Sequence, residues 1–87
     1  MHPAPGDQLV RDVAQNVARA SYGKLIAFLA KQTRDVAGAE DALSEAFAAA
    51  LADWPQKGVP ENPEAWLMVV AKRKIIDAER RRRSGEA

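Results

Sequence analysis

The stretch from Ala39 to Trp54 constrains the fold more than any other. Leu43, Phe47, Leu51 and Trp54 recur at steps of four, four and three, and Ala39, Ala42, Ala46 and Ala50 widen the same stripe. That spacing is the signature of an amphipathic helix packed along one face, and it marks the four large residues as core. The opposite face carries Glu40, Asp41, Ser44 and Glu45 in its first half, followed only by Ala48, Ala49, Ala52 and Asp53. Exposed helix faces usually bear long Lys, Glu or Arg side chains. This face is acidic at one end and nearly smooth at the other, which suits close approach by a partner.

The rest of the chain falls into place around that helix. Residues 1–6 include two prolines and a glycine and are expected to form a disordered leader. Asp7 can cap a first helix over 8–20, with Leu9, Val10, Val13 and Val17 as its apolar stripe. Ser21 and Gly23 interrupt the pattern and predict a bend or break, after which Tyr22, Leu25, Ile26, Phe28 and Leu29 continue a second helix over 21–33. Asp35 caps the third helix, 36–54, with Gly38 in its first turn. Pro55 predicts its end at Trp54, because proline disfavours the helical conformation in the residue before it. Residues 55–62 contain two prolines and a glycine and read as a loop. Asn62, Pro63 and Glu64 then give a helix start: cap, proline at the first turn, acid near the positive dipole end. This fourth helix, 63–82, is apolar all round from Ala65 to Ala71, which predicts deep burial, and narrows to Ile75, Ile76 and Ala78 among basic residues. Residues 84–87 form a frayed tail. No segment alternates with period two for long enough to be a strand, and no repeat is present. The expectation is an all-α protein, a compact bundle of three to four helices over 7–83.

Eighty-seven residues are enough for one small domain, one with a thin margin of stability because small chains bury a smaller share of their surface. The absence of cysteine excludes disulfides, thiolate metal sites and thiol nucleophiles. The single histidine, His2, lies in the leader. The leader has no apolar core of a signal peptide, and the run Ala65–Ala71 is far short of the roughly 20 residues that span a bilayer. A soluble, cytoplasmic protein without a membrane segment is expected. No Ser–His pair, paired catalytic carboxylates or phosphate-cradling glycine loop is present, so the chain does not read as an enzyme and calls for no cofactor.

Three groups of residues remain to be explained. Asp41 and Glu45 lie one turn apart beside Glu40. Carboxylates on facing helices can hold two metals, but such sites also need Glu-x-x-His pairs, and no helix here offers a histidine. The choice is between a solvated acidic start favoured by the helix dipole and a docking surface for a basic partner. The net charge is only +1, yet seven of the 13 Lys and Arg residues fall at Lys72–Lys74 and Arg80–Arg83. Arg80 and Arg83 fall near Lys72 and Arg73 on the helical wheel, and Asp77 is spaced to pair with Arg73 and Arg81. That strip can contact phosphates or simply complement the C-terminal dipole. Trp54 and Trp66 flank the loop, and their rings are expected to anchor its ends in the core. A nucleic-acid contact by the loop would fall to Gln56, Lys57, Asn62 and backbone groups.

The order of these pieces resembles region 2 of bacterial sigma factors of the extracytoplasmic-function (ECF) class, within the sigma-70 family. The resemblance rests on an acidic Ala-Glu-Asp-Ala-Leu-x-Glu-Ala-Phe helix, a Trp-Pro turn, a short loop, and Ala-Trp-Leu-x-x-x-Ala-x-x-x-x-Ile-Asp followed by arginines. It covers Arg19 to Arg83. The loop Trp54-Pro55-x-x-Gly58-Val59-Pro60-x-Asn62-Pro63 looks like the subgroup whose full-length members carry an additional C-terminal helical domain. The resemblance implies that Glu40, Asp41, Ser44 and Glu45 dock on the clamp helices of the largest subunit of core RNA polymerase. It implies that the loop, with Gln56, Lys57 and Asn62, captures a base flipped from the non-template strand of the minus-ten promoter element. Lys72, Arg73 and Arg80 would face promoter DNA, and an anti-sigma factor would be a further partner. Ser44 stands where many members have Gln, Arg73 where many have Asn, and Glu79 where an apolar residue is usual. Nothing matches region 4, the helix-turn-helix that reads the upstream element. The alternative reading is a helical protein-interaction adaptor without DNA function, which would need neither the loop nor the basic strip.

Overall fold

A computed structural model describes residues 5–85. They form three helices and no strand: α1 (Pro5–Thr33), α2 (Val36–Lys57) and α3 (Pro63–Arg83). The expected all-α bundle is what the chain forms, at the lower of the two expected helix counts. Of the expected leader, residues 1–4 lie outside the described residues, whereas Pro5 and Gly6 open α1, which places Asp7 inside the helix and not at its cap. Of the expected tail, Ser84 and Gly85 form a turn after α3, and residues 86–87 lie outside the described residues.

The expected break at Ser21–Gly23 does not occur, and α1 runs unbroken for 29 residues. Its buried stripe explains why. Val10, Ala14, Ser21, Leu25 and Leu29 all face the core, with Val13, Val17, Ile26 and Ala30 packed beside them. A central glycine costs a helix only about 1 kcal/mol, less than this stripe gains from tertiary packing. Gly23 lies on the outer face, where nothing approaches within 4 Å of the position a Cβ would take. At about 1.5 Å per residue, α1 alone accounts for the long axis of the 44 × 26 × 23 Å molecule.

Arg34 closes α1 in the left-handed region, φ 58°, and its N–H donates to the Ala30 carbonyl at 2.6 Å. Asp35 then caps α2, its carboxylate accepting from the Gly38 N–H at 3.0 Å. This two-residue connection forces α2 back along α1. The alanines are the residues of α2 that its neighbours press on: Ala39, Ala42, Ala46 and Ala50 are buried with Leu43 and Trp54. Phe47 is only partly buried, and Leu51 is 46% exposed. The expected Leu43–Phe47–Leu51–Trp54 core is therefore corrected. Helices that approach along small side chains leave large residues at the margin of the contact uncovered. The same limit corrects Ala65–Ala71: Leu67 and Ala71 are buried, Trp66, Met68 and Val70 partly so, and Val69 is 56% exposed. Leu9, likewise expected in the α1 stripe, is exposed.

The core is one cluster running along the bundle, with α2 packed against both other helices and α1 touching α3 least. Its largest fully buried side chains come one from each helix: Leu29, Leu43 and Leu67.

Candidate functional site

Glu40, Asp41, Ser44 and Glu45 are all exposed on α2. The first turn, Val36–Ala39, holds no acid. The dipole effect fades beyond the first turn, so it offers little reason for carboxylates at these positions. Asp41 and Glu45 line one wall of a cleft of about 280 Å³ whose other wall, on α3, carries Lys74, Arg81 and Arg82 together with Glu79. No ion pair closes it. Among the described residues, Lys57–Asp53 at 3.9 Å is the one pair within 4 Å. The carboxylates thus stand free toward solvent, facing cations without being neutralised by contact. No group of three or more His, Cys, Asp or Glu side chains is placed to hold a metal ion among the described residues.

The loop is shorter than expected. α2 continues through Pro55 to Lys57, so Gln56 and Lys57 ride on its last turn and only residues 58–62 are irregular. Proline removes one backbone donor and crowds the preceding turn. That loss falls in the last turn, where the Gly58 N–H, at φ 93°, donates to the Trp54 carbonyl at 2.8 Å. The Lys57–Asp53 pair spans the same turn. Below it, the Trp54 and Trp66 rings meet edge to face at 5.3 Å, 67° apart, and join α2 to α3 beneath the loop. Trp54 is buried, and its indole N–H has no acceptor among the described residues. Asn62 has a structural task of its own: its side-chain oxygen accepts from the Ala65 N–H at 3.1 Å and caps α3. Only its amide NH₂ remains to meet a ligand.

On α3, Arg73 and Arg80 are exposed and lie two turns apart on one line. The exposed Val69 and Ile76 fall on the same line. The expected pairing of Asp77 with Arg73 and Arg81 is absent, with neither within 4 Å among the described residues. Exposed pairs of this kind gain little against the entropy of holding long side chains. Lys72 is turned toward α1, and its ammonium sits 5.1 Å from the centroid of the Phe28 ring.

Phe28, which the sequence places among the apolar residues at helical spacing over 21–33, is 49% exposed. On α1 its neighbours one turn away are Lys24, Lys31 and Gln32. The signal available in the sequence was charge: from Val13 to Arg34 the chain has four cations, Arg19, Lys24, Lys31 and Arg34, and no acid.

The docking candidates and the nucleic-acid candidates therefore occupy different parts of the bundle. The acids lie near the start of α2, the loop at its end, and the basic residues along α3 and the second half of α1. No helix is long and apolar enough to cross a membrane among the described residues. The chain is 42% identical over 53 residues to an uncharacterized protein of Rhizobium meliloti (strain 1021), a match that covers 61% of this chain and 12% of that protein. The chain thus corresponds to a small part of that longer relative. No solved structure matches it. The family model for sigma-70 region 2 matches residues 17–85, taking in the second half of α1, all of α2 and all of α3, and the chain belongs to that family.

Proposed function

We propose that this domain is a promoter-recognition and polymerase-docking module of an ECF-type sigma factor, of the subgroup with an extra C-terminal helical domain. The family match carries the reading, and the exposure of the α2 acids and of Arg73 and Arg80 on α3 supports it. Glu40, Asp41, Ser44 and Glu45 dock on the clamp helices of the polymerase largest subunit. Residues 58–62, with Gln56 and Lys57 on the adjoining turn, capture a base flipped from the non-template strand of the minus-ten element. The Asn62 amide NH₂ supplies a donor to that base while its oxygen holds the cap. Lys72, Arg73 and Arg80 fix the strand by its phosphates. Trapping the unpaired base offsets an unstacking cost of about a few kcal/mol. The protein acts in the cytoplasm, and the outer acidic face is also available to an anti-sigma factor.

Two measurements test this. Glu45→Lys is expected to abolish capture of core polymerase with the circular-dichroism helix signal unchanged; capture that survives the reversal sinks the docking assignment. Binding to single-stranded minus-ten DNA is expected to be weak and selective for the non-template strand. With three phosphates neutralised, log K should fall with log salt at a slope of about −2. Equal affinity for both strands at every salt concentration would rule out base capture by the loop.

A further inference from the structure

The geometry points to a second single-stranded DNA contact, on the α1–α3 face, with Phe28 as a stacking platform for an unpaired base. It rests on the reading of this domain as a promoter-DNA binder and adds a site that the loop does not provide. Phe28 leaves half its surface to solvent, although the core takes Leu25 and Leu29 on either side of it. Three lysines surround it: Lys24 and Lys31 one turn away on α1, and Lys72 from α3 over its ring at 5.1 Å. A shallow depression of about 190 Å³ continues from Lys72 past Gln32 to Ile76. One carboxylate, Glu79, marks its far end.

An aromatic face among cations is what sequence-tolerant binding of single strands uses. The base stacks on the ring while ammonium groups meet the flanking phosphates. Duplex DNA offers the phosphates but no free base face, so the site discriminates for melted DNA. It also fits the placement of the loop. Lys72 lies ten residues beyond Asn62 on α3, about 15 Å along the helix, so one strand can meet the loop first and Phe28 a few nucleotides later. The lysine lies over part of the ring, and the half of Phe28 that stays exposed is open to a base.

The test compares the 87-residue chain with Phe28→Leu, Phe28→Tyr and a loop variant, Lys57→Ala with Asn62→Ser. The probes are fluorescent single-stranded and duplex oligonucleotides carrying the same minus-ten sequence. Phe28→Leu keeps the apolar bulk and is expected to weaken single-strand binding about tenfold, to leave duplex binding unchanged, and Phe28→Tyr to restore the parent affinity. Single-strand binding unaltered by Phe28→Leu overturns the inference. So does an equal loss on single strand and duplex, which would mean that the ring only seats Lys72. A loss of core-polymerase capture without loss of DNA affinity overturns it too and makes the face a protein contact. If the loop variant binds normally while Phe28→Leu does not, base capture by the loop fails and the Phe28 site stands; the reverse pattern has the opposite meaning. Failure of the parent chain to bind either probe overturns both.

Discussion

Two glycines in comparable helical settings have opposite reasons for being there. Gly23 meets nothing within 4 Å on the outer face of α1, so Gly23→Ala should stabilise the domain by about 0.5–1 kcal/mol, read as a higher midpoint in urea. At Gly38, a Cβ would come within 2.6 Å of an Asp35 carboxylate oxygen. Moving that carboxylate breaks the cap, which is worth about 1 kcal/mol, so Gly38→Ala should yield no net gain in the same titration. Equal gains at both positions would show that the Asp35 cap contributes nothing. Trp54 allows a similar contrast. Truncation to Ala should cost about 3–5 kcal/mol for the void it leaves. Trp54→Phe removes a buried N–H that has no acceptor among the described residues, and relief of that desolvation offsets much of the lost volume. Its cost should stay under about 2 kcal/mol, measured by the same denaturation.

Among the elements, α3 depends on a residue with two tasks. Asn62 caps it through the side-chain oxygen, and in the proposed function its NH₂ meets the flipped base. Asn62→Ser preserves a good cap but removes that donor. Stability should hold to within about 0.5 kcal/mol while affinity for the non-template strand falls. If the two drop together, capping is the only task. The elements also show what the sequence could and could not reveal. Helix type, the Asp35 and Asn62 caps and the Trp pair were legible, because caps and 3.6-residue periodicity are local, whereas Asp7, also expected as a cap, lies inside α1. The continuity of α1 was not, since Ser21 and Gly23 are local break signals that tertiary packing of Leu25 and Leu29 overrules. The end of α2 was missed for a related reason. Pro55 lies so near the terminus that it forfeits little, and the Gly58 N–H reaches back to Trp54 regardless. Exposure of Leu51 and Val69 depends on how closely two helices approach, which a single helix's pattern does not encode. In the candidate site, the acids and arginines were legible as charge, whereas Phe28 became visible only once α3 placed Lys72 against it.

At the scale of the whole molecule, the core is thin: three fully buried leucines, one per helix, with Val10, Leu25 and Trp54 among alanines. A chain of this length is stabilised by only about 5–13 kcal/mol, and a buried Leu→Ala typically removes 2–5 of them. Leu43→Ala is therefore expected to lower the melting temperature by more than 10 °C, followed by circular dichroism; a smaller shift would mean that the alanine contacts carry the fold. Those contacts have a further consequence. Ala39, Ala42, Ala46 and Ala50 fit α2 between its neighbours in one rotational setting, and about 18 Å of uninterrupted helix separates Glu45 from Lys57. Adding or removing one residue between them would turn everything beyond by 100° and swing the alanines out of the contact. Descendants of this domain can thus change what α2 touches by exchanging one side chain for another, but insertion and deletion are closed to them along its length. Variation in length is left to the five-residue loop and the ends of the chain.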